Sequence, residues 1–137
     1  IKREKENTTM TVQEMKKLVC DAVDKNADKI MDIAESIFQE PELGYKEYKT
    51  AAKVKAVFDE LGYSYQDEVA LTGVIATVPG GQHNAKVAVM GELDAVVCPG
   101  HRCADPVTGA AHSCGHHAQI ASLMDVAYAL KESCVMH

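Results

Sequence analysis

The sequence predicts a layered α/β domain. Two segments with helical periodicity come first, short extended segments separated by turn residues follow, and helical periodicity returns towards the C-terminal side. The 137-residue length suits one domain, since domains most often run to about 100–150 residues. Apolar residues at 47% and charged residues at 25% match a globular chain and exclude a disordered or fibrous one.

Residues 1–10 are polar and are expected to form a tail. From Val12, apolar residues recur at Met15, Val19, Val23, Ile30, Ile33, Ile37 and Phe38, with Leu18, Ala22, Ala27 and Ala34 beside them. Gaps of three and four place them on one helical face, read as core packing. Thr11 and Glu14 fit a capping box, and Pro41 disfavours helix at Glu40, so this helix ends there. A second helix is expected from Glu47 to Leu61, burying Ala51, Val54, Phe58 and Leu61 and stopped by Gly62. Tyr63, Tyr65 and Val69 to Leu71 suggest short extended segments, and Val74 to Val78 reads as a strand. Pro79-Gly80-Gly81 reads as a turn, and Lys86 to Met90 as a second strand. Its Val87-Ala88-Val89-Met90 is apolar on both faces, as in the buried centre of a sheet. Val97 to Ser113 lacks periodicity, and loops of that length are usually functional. A third helix starts near Gly115 and runs on through Ile120, Leu123, Met124, Ala127 and Leu130.

Several functions are excluded or disfavoured by composition. No apolar run approaches the roughly 18 residues of a membrane helix, and the charged residues 2–6 lead into no signal-peptide core. The net charge is −6, with acidic residues spread along the chain and no cluster of Lys and Arg after the first few residues. Neither nucleic acid nor a membrane is therefore an expected partner. Five cysteines, an odd number, favour reduced thiols and a cytoplasmic location over a disulfide framework. Cys20 and Cys134 fall on predicted helices and read as ordinary core or surface thiols. The chain starts at Ile1 and its last residues still read as helix, so both ends are expected to be boundaries of a fragment.

The chemistry gathers in one stretch. Four of the six histidines and three of the five cysteines lie between Cys98 and His117, as Cys98-Pro-Gly-His101-Arg-Cys103 and His112-Ser-Cys114-Gly-His116-His117. Thiolate and imidazole are the preferred ligands of zinc and related metals, so a metal is expected. Cys114 and His116 can converge on one ion only if the backbone bends between them, which Gly115 permits. A helix N-terminus beside them favours the thiolate. Upstream, Gly91-Glu92-Leu93-Asp94-Ala95 follows the expected buried strand, where catalytic groups collect in α/β sheets. Glu92 and Asp94, two apart, would share one side of it. Asp94 and Glu92 are the candidate catalytic carboxylates, and Cys114 and His116 the candidate metal ligands.

Three segments carry a resemblance. Glu40-Pro41-Glu42-Leu43-Gly44-Tyr45 followed by Glu47 and Thr50, then Gly91-Glu92-Leu93-Asp94-Ala95, then His112-Ser113-Cys114-Gly115-His116 resemble successive signatures of the aminoacylase-type metallopeptidase and amidohydrolase family. The match is closer to its amidohydrolase branch, which holds N-acyl-amino-acid, auxin-conjugate and aminobenzoyl-glutamate hydrolases. Ala104-Asp105-Pro106-Val107-Thr108-Gly109-Ala110 resembles the aminobenzoyl-glutamate-related subgroup. The resemblance covers residues 12–133. It implies that residues 11–137 are the N-terminal part of a three-layer αβα zinc-peptidase-like catalytic domain, incomplete in this chain. It further implies a divalent metal centre, two ions per complete site, of manganese or zinc, with cobalt as a further candidate. Metal-activated water would hydrolyse the amide of an N-acyl amino acid, a dipeptide or an aminobenzoyl-glutamate-like substrate. By motif position Cys114 and His116 would be metal ligands, and Asp94 would orient a ligand or tune the metal. The family usually carries Asp or Asn where this chain has His117. Its Glu-Glu pair, its two further histidine ligands and its lid and dimerisation domain lie downstream of the Cys-Gly-His motif. The resemblance therefore implies a homodimeric parent enzyme and a fragment that is inactive alone and open to self-association.

A different class of reading stays open at this point, in which Cys98, Cys103, Cys114 and a histidine form a closed structural zinc site. The single residues have plainer readings too. Cys114 can be a buried thiol, Asp94 a loop cap, His117 a surface residue, and Glu42 and Glu47 surface or turn residues.

Overall fold

The computed structural model describes residues 10–81, 85–133 and 135. The expected 1–10 tail, apart from Met10, and Cys134 lie outside the described residues, as do positions 82–84 after the expected turn. The chain is a mixed α/β structure of three helices and two short antiparallel ribbons among those residues.

Helix α1 (Val12–Phe38) opens on the capping box that its sequence announces. The Glu14 amide donates to Thr11 Oγ1 at 3.2 Å, and the Thr11 amide donates to the Glu14 carboxylate at 2.8 Å. Helix α2 (Tyr48–Leu61) starts one residue later than expected. Its first amides are satisfied from a distance in sequence: Lys49 and Thr50 N–H donate to the Glu42 carboxylate at 3.1 and 2.9 Å. It ends at Gly62, whose φ of 68° is the left-handed conformation that closes a helix cheaply only in glycine.

Ribbon strands β1 (Tyr65–Val69) and β2 (Gly73–Ala76) pair antiparallel, Tyr65 opposite Ala76, with an irregularity between Gln66 and Val69. Strands β3 (Val96–Val97) and β4 (Ala110–Ala111) form the second ribbon, and Ala95 makes a parallel bridge to Leu43. The loop expected over residues 97–113 is thus tied at both ends. Asp105 closes it within, accepting from the amides of Val107 at 3.0 Å and Thr108 at 2.6 Å.

Helix α3 (His116–Ser133) carries the core. Ile120, Met124 and Tyr128 pack with Ile30 and Ile37 of α1 and Val54, Phe58 and Leu61 of α2 in one cluster. The apolar stripe of α1 was expected to be core throughout, yet Val12 and Leu18 are exposed and the buried residues begin at Ala22. Length is the reason: 27 residues span about 40 Å and the 18 of α3 about 27 Å. One helix overhangs the other.

Two further expectations are corrected. Lys86–Met90 is not a strand, and Val87 and Met90 are 89% and 86% exposed. Its apolar pattern states a need for neighbours on both sides, but among the described residues the strands pair with one another and none flanks it. Glu47 is not a surface residue but 7% exposed, its carboxylate accepting from Thr72 Oγ1 at 2.7 Å and from the Tyr45 amide at 2.9 Å.

Candidate metal centre

The chain reaches the candidate site along two paths. After the exposed segment it passes close against α3: a Cβ on Gly91 would lie 3.0 Å from Ile120 Cδ1, so a side chain there would have to displace Ile120 slightly. Ala95 is then held by its amide donating to the Glu42 carbonyl at 2.7 Å. Glu92 and Asp94 sit between these two anchors. The second path is the Cys114-Gly115-His116 turn. Gly115 has a φ of 83°, and its carbonyl accepts from the Ala118 amide at 2.9 Å, starting α3.

His116 is where the two paths meet. Its Nδ1 lies 2.8 Å from the Asp94 carbonyl and 3.0 Å from Asp94 Oδ1, and its Nε2 lies 3.2 Å from Glu92 Oε2. The backbone carbonyl can only accept, so Nδ1 carries a proton and donates it. In the neutral ring Nε2 is then a lone pair facing a carboxylate. That contact is favourable only with a cation or a proton between the two, and an oriented imidazole beside a carboxylate is a fitting donor set for a divalent metal. Cys114, exposed and two residues upstream at the start of α3, supplies a thiol beside the positive end of the helix. The residues present therefore fit such an ion, with Cys114 and the Nε2 of His116 as its holders. The two carboxylates converge as expected, but by flanking one ring rather than by sharing a strand face, since residues 91–94 are not in a strand.

Gln119 takes part without any signal in the sequence. Its side-chain oxygen accepts from the Glu92 amide and its Nε2 donates to the Glu92 carboxylate, both at 3.2 Å, fixing Glu92 to the first turn of α3. Burial separates the remaining histidines. His112 is 5% exposed, and that burial, with His117 and His116 adding to it, pushes its pKa down to about 4. His117 is half-buried: its ring packs tilted 4.9 Å from the Phe38 ring, and burial lowers its pKa as well. His101 accepts from the Cys103 amide at 3.2 Å and serves the loop.

The closed structural zinc site does not assemble. Cys98 and Cys103 are half-buried and unpaired, and among the described residues no three His, Cys, Asp or Glu side chains are grouped to hold one ion. That statement covers the Cys114–His116 pair too, which offers two ligands from this chain.

Comparison with known proteins finds similarity to hydrolases. The chain is 38% identical over 110 residues to the IAA-amino acid hydrolase ILR1-like 5 of Arabidopsis thaliana, covering 77% of this chain and 25% of that protein. It is 34% identical over 109 residues to thermostable carboxypeptidase 2 of Saccharolobus solfataricus, covering 75% of this chain and 27% of the relative. It is 30% identical over 107 residues to the N-acetyl-L-cysteine deacetylase of Bacillus subtilis, covering 76% and 26%. No family model and no solved structure matches. The chain belongs to the aminoacylase-type metallopeptidase and amidohydrolase family, whose members named here are hydrolases of amide bonds. It spans about a quarter of the length of these curated relatives.

Among the described residues no helix is long and apolar enough to cross a membrane.

Proposed function

We propose that this chain is the N-terminal part of a metal-dependent amidohydrolase that cleaves the amide of an N-acyl amino acid, a dipeptide or an aminobenzoyl-glutamate-like compound. One observation carries the reading: Asp94 fixes the proton of His116 on Nδ1, which leaves Nε2 and the neighbouring Cys114 to hold a metal. The names of the relatives support the reaction class. A divalent ion bound there, manganese, zinc or cobalt and paired with a second in the complete site, would supply Lewis acidity and a more acidic water. Asp94 orients the His116 ring. Glu92, held by Gln119, keeps a carboxylate at Nε2, where it can accept a proton from a polarised water. The rest of the catalytic groups lie, on this reading, in sequence beyond this chain, so the fragment alone does not turn over substrate. The proposed setting is a cytoplasmic homodimer of the parent enzyme, with no nucleic-acid or membrane partner.

The test is cobalt(II) absorption. A thiolate-to-cobalt charge-transfer band is expected on adding cobalt, lost in Cys114→Ser and unchanged in a Cys98→Ser/Cys103→Ser pair. A band that follows the Cys98/Cys103 pair instead would overturn the reading and restore a structural site.

A further inference from the structure

We propose that His112 and His117 together hold a divalent cation of the zinc type, one that neither Cys114 nor His116 ligates. The two imidazoles face each other with ring centres 5.4 Å apart and planes inclined by 55°. Both nitrogens of His112 and Nδ1 of His117 are buried and make no hydrogen bond. The Ile37 backbone makes a weak hydrogen-bonding contribution to His112 that falls outside the geometry of a formed hydrogen bond. More than 90% of buried polar groups find partners, so three orphaned nitrogens on two touching rings mark a place where something else binds.

The geometry and chemistry choose the occupant. A tetrahedral ion takes imidazole nitrogens at about 2.0–2.1 Å. Adding roughly 1.1 Å from nitrogen to ring centre, two such ligands stand about 5 Å apart centre to centre, close to the spacing here. Negative charge lies near each ring, Asp94 towards His112 and Glu35 towards His117. Nitrogen donors select zinc, cobalt, nickel or copper over magnesium or calcium. Phe38, 4.9 Å from His117, closes one side of the pair with an apolar ring.

The experiment uses the whole chain labelled with nitrogen-15 and carrying Cys114→Ser and His116→Ala, so that the centre proposed above is absent. On zinc titration, one ring nitrogen each of His112 and His117 is expected to shift together, saturating at one equivalent, while His101 stays in place. Rings that ignore zinc, as they would if an ordered water joined them, overturn the proposal. A parallel variant covers the case in which that protein fails to fold. His117→Asn in the otherwise unaltered chain is expected to lose one equivalent of bound zinc while keeping the cobalt–thiolate band of Cys114. Unchanged zinc content in His117→Asn overturns the inference and leaves the Cys114 reading standing.

Discussion

Gly115 has a φ of 83° and no heavy atom within 4 Å of where a Cβ would sit. The cost of a side chain there is one of backbone conformation only. Gly115→Ala is expected to lower stability by about 1 kcal/mol, read as a fall in urea midpoint with an unchanged slope. Asp94 is different, because in the proposed centre its side chain acts on the metal rather than on folding. Asp94→Ala removes one of two acceptors at His116 Nδ1 and should weaken metal binding about 10-fold. Titration against a competing chelator checks it, and equal affinity for the two proteins would remove Asp94 from the site. Glu47 acts through the fold. Its buried carboxylate serves Thr72 and Tyr45, and Glu47→Ala leaves both without that partner. Hydrogen bonds to charged groups are worth about 1.5–3 kcal/mol, so a loss near 2 kcal/mol is expected in a denaturant melt.

At the scale of elements, the helices are coupled by charges as well as by their apolar faces. Glu40, just beyond α1, pairs with Lys49 and Lys53 of α2 at 2.9 and 2.8 Å, which holds its carboxyl down at about 2. A carboxyl with a depressed folded pKa contributes stability that is complete above its ordinary value of 4.5 and is lost as the pH falls towards about 2. The group is solvent-exposed, so screening limits the contribution to roughly 0.5 kcal/mol. Wild type and Glu40→Gln should therefore differ at pH 6, converge by pH 2, and differ less at high salt. The cap of α2 works by the same economy of reach: Glu42 comes from eight residues upstream of Thr50 to hold its amide.

At the scale of the whole molecule, the apolar stretch 87–90 is left uncovered among the described residues. Val87 and Met90 are almost fully exposed, and Val89 is half exposed. Burying a Val or Met side chain is worth about 1.5–3 kcal/mol, which is enough to draw copies of the chain together. Sedimentation velocity is expected to show concentration-dependent association of the wild type, much reduced in Val87→Lys/Met90→Lys. A wild type that stays monomeric at millimolar concentration would remove self-association from the account.

Much of this protein was legible along the chain because the signals are local. The capping box of Thr11 and Glu14, the stop at Gly62 and the α3 start beyond Gly115 each depend on a few adjacent residues, and the observed helices begin and end where those residues place them. The candidate ligands Cys114 and His116 and the candidate carboxylates Glu92 and Asp94 were likewise named from short local spacings, and their roles belong to the proposed function. What only the tertiary structure decided concerns partners distant in sequence. A hydrophobic run such as Val87-Ala88-Val89-Met90 states that burial is favourable but not which strand will supply it. The roles of Glu42, Glu47 and Gln119 arise from contacts 7 to 27 residues away. The His112–His117 pair is set by packing, His117 against Phe38 of α1 and His112 against His117. Periodicity and capping are properties of neighbours along the chain, whereas burial and ring orientation are properties of packing, and no local pattern encodes them.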